Sequence, residues 1–452
     1  MNDRKSDYGA FTRPMMYDLL KTLRLDIEYN RGAGDYLYYK NESGEDVSVL
    51  DLAGGFGATI LGHNHPEIKK VIKKCVDREI PMHAQGSVRE SAGKLASRLS
   101  SLYPGKEKRI VMFSNSGTEA VEALLKHAEM NRMNRFMEIG KSLFRNYNKM
   151  RDYYRMHSAL RLPKEYREKG VDALLGDIIM QTRTLESMPP VVICAERSFH
   201  GKTAGAVQIT GNPMYREAFA RLSAIEARFV EFGNLDEISK VLDDSYFTIR
   251  KLVVEGNDLK IVEEKHLNVS LLIVEPVQGE GGIVVASQQY MRGIQKLKQK
   301  HGFEWGMDEI QCRMGRTGKL FAIEKYRVDY DAVDYIVLSK SLGGGTHKIG
   351  ALMIRESIHD PRFGLLHTST FAEDSVSSEV GLKTLELLTA DNNRLIKSIE
   401  MKGKYFLEEL MKLKSEFPGV VKDVRGQGLM IGIEFHTLAD SSALTFSRMG
   451  QQ

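Results

Sequence analysis

An α/β protein with a mostly parallel sheet, its ligand site beyond the carboxyl ends of the strands, is the fold this sequence predicts. Three observations predict it. Short apolar runs of strand length alternate with helical segments along the chain, and polar or glycine-rich turns close most of those runs. The third is the stretch Tyr335-Ile-Val-Leu-Ser-Lys340-Ser-Leu-Gly343-Gly344-Gly345, where an apolar run ends at a lysine followed by glycines. A lysine at the rim of a core is costly unless it is solvated, paired or chemically used. One use is a Schiff base to a carbonyl compound; the alternative is a solvated lysine at a strand end.

Size and composition bound the rest. With 452 residues, 42% hydrophobic and 27% charged, the chain has the balance of a soluble protein with a sizeable core. A formal charge of +4 is small for this length and gives no reason to expect nucleic acid. Cys75, Cys194 and Cys312 form neither a metal-ligand spacing nor a disulfide framework, so no metal site is expected and a reducing compartment is. The polar start Met1-Asn-Asp-Arg-Lys lacks a signal core, and no run approaches the ~18 apolar residues of a membrane span. These features predict a soluble, cytoplasmic protein without a membrane partner.

Taken in order, residues 1–50 are polar and aromatic, with an amphipathic helix around Met16–Leu25. The glycine-rich stretch Gly54-Gly-Phe-Gly57 to Pro66 is either a loop near a ligand or a plain connection between strands. A helix follows from Pro66 to about Val76. Strand Ile110–Phe113 leads through Ser114-Asn-Ser116-Gly117-Thr118-Glu119 into a helix reaching about Met130. That turn suits phosphate at a helix N-terminus, and it is equally a capping box. No lysine follows at P-loop spacing.

Residues 131–190 interleave Arg132, Arg135, Lys141, Arg145, Lys149, Arg151, Arg155 and Arg161 with Phe136, Phe144, Tyr147, Tyr153 and Tyr154. Such a pair of helices could dock an acidic partner or be a solvated surface hairpin. Strand Val191–Ala195 and the turn Ser198-Phe199-His200-Gly201-Lys202-Thr203 follow, then a polar, charged stretch at 243–268. Strand Leu271–Val274 ends in Glu275-Pro-Val-Gln-Gly-Glu280, helix Gln288–Lys300 leads to strand Phe303–Met307, and that strand ends in Asp308-Glu-Ile-Gln311. Strands Tyr335–Leu338 and Gly350–Ile354 complete the series. Beyond about 375 the chain is helix-rich, closing with a strand across Val424–Phe435 that reads as part of a smaller domain.

In this order the turns resemble the class III (ω-) aminotransferases, pyridoxal phosphate (PLP) enzymes of fold type I. The matching phrases are Gly54-Gly-Phe-Gly57, Asn115-Ser-Gly-Thr-Glu-Ala120, Phe199-His-Gly-Lys-Thr203, Glu275-Pro-Val-Gln-Gly-Glu280, Asp308-Glu-Ile-Gln311, Gly315-Arg-Thr-Gly-Lys-Leu-Phe321, Ser339-Lys-Ser-Leu-Gly-Gly-Gly345, His367-Thr-Ser-Thr-Phe371 and Arg425-Gly-Gln-Gly-Leu429. The phrases with Lys202 and His367–Phe371 look most like the putrescine aminotransferase branch. The resemblance implies a large PLP-binding domain at 81–375, carrying the insert 131–190, and a small domain built from 1–80 and 376–452. It implies that Lys340 carries the Schiff base and shuttles the proton, and that Asp308 faces the pyridine nitrogen. Gln311 would bond the ring's 3′ oxygen; Ser116, Gly117 and Thr118 would hold the phosphate, with Thr370 supplied by the neighbouring subunit of a homodimer. Phe199 would stack on the ring, with His200 and Glu275 beside it. Arg425 matches a carboxylate-binding arginine, Glu280 the glutamate that pairs with it as a gate, and Lys202 lies in the substrate region.

Four departures from the pattern matter. Lys202 stands where many members carry arginine, and lysine lacks the fork that grips a carboxylate. Ala372-Glu373-Asp374-Ser375 replaces the usual Gly-Gly-Asn-Pro, which places two acids where substrate choice is set. The insert 131–190 is longer than the usual connection. The chain also stops at Gln452, sooner after Arg425 than members do, so the small domain is expected to be incomplete and the chain a fragment or one domain of a longer biosynthetic protein. The reaction expected is amino transfer from glutamate, a diamine or another ω-amine to an aldehyde or keto acid. A racemase, aminomutase or decarboxylase would use the same cofactor set, and a non-enzymatic paralogue is disfavoured by Lys340 and Asp308. A carrier or fused domain docking at 131–170 is the expectation for the insert.

Overall fold

The computed structural model describes residues 6–157 and 159–436. In chain order its strands are β1 (Arg31–Ala33), β2 (Tyr36–Lys40), β3 (Asp46–Leu50), β4 (Arg109–Ser114), β5 (Val191–Ala195) and β6 (Glu226–Val230). Next come β7 (Tyr246–Glu255), β8 (Asp258–Leu267), β9 (Val269–Val274), β10 (Val277–Gln278), β11 (Val284–Val285) and β12 (Trp305–Asp308). The last are β13 (Tyr335–Leu338), β14 (Gly350–Arg355), β15 (Val421–Gln427) and β16 (Met430–Phe435). Seven of them form the central sheet in the order β4-β14-β13-β12-β9-β5-β6.

The pairs from β13 to β6 are parallel, and β14 runs antiparallel between β13 and β4. The mixed, mostly parallel sheet is the predicted one. Its inner strands are continuous apolar runs because helices cover both faces. Along β13, Ile336 and Leu338 join one core with the helices Glu90–Leu102 and Gln288–His301, while Tyr335 and Val337 join the other with the helix Gly117–Met156. Parallel pairing aligns the carboxyl ends of β9, β12 and β13, so the turns beginning at Glu275, Asp308 and Ser339 open on one side.

A second group of elements surrounds that side. β1, β2 and β3 make a small antiparallel sheet, and the helix Pro66–Asp77 packs Ile68 and Cys75 against Val376 and Val380. The segment Ser375–Glu416 is helical on either side of a break at Ala390, Asp391, Asn392 and Asn393, the last three with positive φ. The single strand expected across Val424–Phe435 is instead a hairpin, β15–β16, which turns at Gly428 with φ +59°. The left-handed backbone of that glycine permits the reversal.

The insert is larger than its sequence suggested. One continuous helix, Gly117–Met156, runs from the sheet into it, and Gly170–Ser187 returns antiparallel. The polar stretch at 243–268 is the hairpin β7–β8, packed on both helices. Phe136, Leu143, Met150, Leu174, Leu175 and Ile178 share a core with Ile249, Leu252 and Leu259. Two amides finish the open edge of β7: Asn146 exchanges hydrogen bonds with the Leu252 backbone (2.8 and 2.9 Å), and Gln181 does the same with Arg250 (3.0 and 2.7 Å). An unpaired strand edge is thereby satisfied from the side. Arg132 belongs to this framework rather than to a basic surface: it is buried and donates to Glu129, Asn268 and the Met188 carbonyl. Arg135 pairs with Glu304 at 3.3 Å.

Among the described residues no helix is long and apolar enough to cross a membrane.

Candidate active site

Lys340 follows β13 by two residues, with φ +46°. A non-glycine residue in that region is strained and is held there by its surroundings. The holding contacts are on either side: Ser339 Oγ donates to the Ile349 carbonyl at 2.8 Å, and Ser341 Oγ to the Gly57 carbonyl at 2.6 Å. The Lys340 ammonium is largely buried; burial lowers its pKa, and the nearby carboxylates of Asp308 and Glu275 oppose that.

Asp308 ends β12, the parallel neighbour of β13, and is 4% exposed. Its Oδ2 lies 2.8 Å from Nδ1 of the buried His200, and its Oδ1 accepts the Ile310 N–H at 3.0 Å. Burial works against a charged His200 imidazole, but the bond to Asp308 and its charge outweigh this and raise the histidine's pKa. Glu275 accepts the N–H groups of Phe199 (3.1 Å) and Gly279 (3.4 Å), and burial pushes its pKa up to about 7. Its carboxylate fixes the loop that carries Phe199. The Gln311 amide lies against Gly279 so closely that a side chain there would overlap it.

Ser116 caps the helix Gly117–Met156 through the Glu119 N–H, and Glu119 reaches back to the Asn115 N–H at 2.8 Å. The first N–H groups of a helix, here those of Gly117 and Thr118, have no acceptor within it. Gly117 stands next to the lysine turn, since a Cβ on it would meet Ser339 Cβ at 3.2 Å and Ile310 Cδ1 at 2.8 Å. The Thr118 hydroxyl shares a hydrogen bond with Thr203 at 2.8 Å, and Thr203 donates to Glu122 at 2.6 Å. The cap reading of this turn is observed in the Ser116 contact, and Gly117 lies close to the lysine turn.

Phe199 forms a wall with Tyr215, their rings edge to face at 6.1 Å. Lys202 Nζ sits 3.5 Å from the Tyr215 ring centroid and 5.8 Å from that of Phe199. The Tyr215 hydroxyl donates to Glu280 Oε1 at 3.0 Å. The gate pair expected between Glu280 and Arg425 is not formed. Arg425 Nη1 instead donates to Asp423 Oδ2 (3.0 Å) and Glu434 Oε2 (2.7 Å), and its Nε to the Gly282 carbonyl (2.6 Å). The reason is local: Asp423 lies two residues from Arg425 on one face of β15, and Glu434 is the cross-strand partner of Asp423.

The acids of the unusual 372–375 stretch are also engaged. Glu373 pairs with Arg89 at 2.9 Å, and Asp374 caps the helix Ser375–Glu416 by accepting the Ser377 N–H at 2.7 Å. Thr370 is exposed, and its carbonyl accepts from Gln85 at 2.6 Å. Its neighbour Ser369 touches Asn115 at 2.8 Å, which ties this loop to the Ser116–Thr118 turn.

The structure thus brings Lys340, Asp308, His200, Glu275, Gln311, Phe199 and the Ser116–Thr118 turn together, and leaves Thr370 on the surface. Sequence reasoning missed Tyr215, Asp423 and Glu434. Asp423 and Glu434 carry a signal after the fact, an acid two residues from the arginine and another on the returning strand. Tyr215 is joined to Glu280 by a fold that separates them by 65 positions and has no local signal.

The chain is similar to known proteins in sequence and in fold. The chain is 30% identical over 439 residues to the aminotransferase PigE of Serratia sp. (strain ATCC 39006), covering 96% of this chain and 41% of that one. The chain therefore spans about two fifths of that curated relative. A transaminase from the marine bacterium Virgibacillus superposes with a TM-score of 0.67 at 19% identity, over 93% of this chain and 80% of that one. Taurine:2-oxoglutarate aminotransferase from Bifidobacterium kashiwanohense, solved with PLP and glutamate, gives 0.67 at 18% identity over 91% and 78%. Ornithine aminotransferase from Toxoplasma gondii ME49 gives 0.65 at 19% identity over 96% and 86%. At these identities the structures establish the fold. The profile of the family described as "Aminotransferase class-III" matches residues 21–450, and the chain belongs to that PLP-binding family.

Proposed function

We propose that this chain moves amino groups between an amine and a carbonyl compound, with PLP held between Lys340, Asp308 and the Ser116–Thr118 turn. The observation that carries it is the pairing of two neighbouring strand ends: a strained, largely buried lysine after β13 and a buried, histidine-backed aspartate at the end of β12. The residues fit the group. Gly117 leaves no room for a side chain beside Ser339 and so brings its backbone up to the lysine turn, while Asp308 and Glu275 supply buried negative charge that a cationic ring nitrogen would balance. Bound there, PLP would supply an aldehyde that exchanges with amines and a ring that accepts electrons from a neighbouring C–H bond.

The chain's own work is then as follows. Lys340, with its pKa lowered by burial, releases and takes back a proton at Nζ more readily than a solvated lysine does. Asp308, oriented by His200, would hold a proton on the ring nitrogen. Gly117 and Thr118 N–H groups, at the positive end of a long helix, would hold the phosphate, with Ser116 at the cap. Phe199 would lie against the ring, and Gln311 would bond its 3′ oxygen. Lys202, Glu280 and Arg425 are the charged residues of the substrate region.

Several wider readings rest on the same framework. The three-stranded sheet, the helix Pro66–Asp77, and the segments after 375 support a small domain made from 1–80 and 376–452 around a large domain 81–375. Thr370, exposed on a loop tied to the phosphate turn, supports a homodimer in which it completes the neighbour's site. A groove of about 480 Å³ between the insert helices, with Lys141 and Arg145 on its rim, supports docking of a carrier or fused domain. Three buried free cysteines support a cytoplasmic setting.

The deciding experiment is reductive trapping. PLP added to the protein and fixed with borohydride should label the peptide containing Lys340, and the Lys340→Ala variant should take no label. A label on another lysine, or none, would overturn the assignment; amino exchange from a labelled donor amine then tests the reaction itself.

A further inference from the structure

We propose that Tyr215, Asp423 and Glu434 set the substrate class of this site. They occupy the two cations that would otherwise grip a carboxylate, so the amine selected carries no carboxylate at its far end. The inference rests on the aminotransferase reading above and names the substrate class for it.

Arginine recognises a carboxylate by presenting two N–H groups of its fork side by side. Neither side-by-side pair of the Arg425 fork is free, because Nη1 and Nε are both engaged and only Nη2 keeps its N–H groups. Nη1 carries both Asp423 (3.0 Å) and Glu434 (2.7 Å), and Nε carries the Gly282 carbonyl (2.6 Å). The remaining nitrogen, Nη2, faces Gly282 so closely that a Cβ on that glycine would stand 2.8 Å from it. Gly282 has φ +99°, so the turn wraps its backbone onto the guanidinium in a conformation that side chains avoid. Lys414 (3.0 Å from Asp423) and Lys422 (2.5 Å from Glu434) hold the two carboxylates from the outer side and anchor them where they meet the arginine.

The second cation is occupied independently. Lys202 Nζ rests 3.5 Å from the Tyr215 ring centroid, a cation–π distance. The same tyrosine donates its hydroxyl to Glu280 and so draws that carboxylate away from Arg425. One residue thus masks a cation and removes the gate's anion. What the mouth offers an incoming chain is the Phe199–Tyr215 wall and the exposed Glu280 carboxylate. These suit an alkylamine, or a diamine whose second ammonium meets Glu280, and they do not suit glutamate.

The test compares two donors on the PLP-loaded protein. Release of carbonyl product from hexylamine and from glutamate gives a ratio of kcat/KM values, and glutarate binding is measured by calorimetry without turnover. Wild type should favour hexylamine. Glu434→Gln, which removes charge and keeps shape, should shift the ratio toward glutamate by about fivefold through KM, as expected for one partly exposed ion pair. The same change should tighten glutarate binding by a similar factor. Tyr215→Leu in a Glu280→Gln background, which frees Lys202 without returning a carboxylate to Arg425, should move the ratio in the same direction by a separate route. An unchanged ratio and unchanged glutarate affinity in both variants, or a wild type that already prefers glutamate, would overturn the proposal. Absence of transfer from every amine tried would instead overturn the aminotransferase reading beneath it.

Discussion

Nδ1 of His200 lies 2.8 Å from Oδ2 of Asp308, with both side chains buried. The contact gives a role to a histidine whose sequence offered none: it orients the aspartate and supports its charge. A hydrogen bond to a buried charge contributes about 1.5–3 kcal/mol. His200→Phe should therefore weaken PLP binding roughly ten- to a hundredfold in an absorbance titration. His200→Asn, which places a donor near the Nδ1 position, should recover most of that loss. Equal losses in both variants would show that ring packing, and not the bond, is what matters.

Gly282→Ala should disturb the arm that carries Arg425. The position has φ +99°, and the new methyl would meet Arg425 Nη2 at 2.8 Å. Strain of this kind costs on the order of 1–3 kcal/mol. Urea unfolding should report a loss in that range, and a variant as stable as wild type would mean that the 279–283 turn relaxes freely.

The insert helices and the hairpin β7–β8 should open as one unit, because they share a core that the main sheet does not enter. Leu174 is fully buried in that core, and Leu→Ala at such sites costs about 2–5 kcal/mol. In Leu174→Ala, amide exchange should accelerate together in 136–187 and 246–267 while β9, β12 and β13 keep their protection. Faster exchange in the helices alone would separate the hairpin from the unit.

Stability should fall as pH rises from about 5 to 7. Burial pushes the Glu304 carboxyl from 4.5 up to about 7, against the opposing bonds from Tyr335 (2.5 Å) and Asn131 (3.1 Å) and the charge of Arg135. A carboxyl whose native pKa exceeds its unfolded value binds more protons in the folded state between the two, so stability is present below the window and lost through it. The shift corresponds to about 3 kcal/mol. Glu304→Gln should flatten the slope of unfolding free energy against pH over that interval. An undiminished slope would assign it to other buried acids, such as Glu309, which burial also raises to about 7.

The sheet and the turns that end its strands were legible because each depends on local sequence. The apolar runs at Tyr335–Leu338 and Val191–Ala195 are observed strands, and the residues ending β9, β12 and β13 meet where parallel pairing puts them. The hairpin β7–β8 was missed although its signal was present: Gly256-Asn257 between two partly alternating runs is a two-residue hairpin turn. Its packing partner lies some hundred positions earlier, and nothing local announces such a pairing. The pair expected between Glu280 and Arg425 is absent for another reason. Glu280 and Arg425 are the residue types a gate needs, but each has a nearer competitor in space, Tyr215 for one and Asp423 with Glu434 for the other.

The helix Gly117–Met156 has one further consequence. At 40 residues and 1.5 Å per residue it is a strut about 60 Å long. One end is the pair of amides beside the lysine turn, and the far half contributes Phe136, Leu143 and Met150 to the core shared with β7–β8. A load borne by the insert reaches the catalytic side of the molecule through a single uninterrupted rod, without crossing a loop.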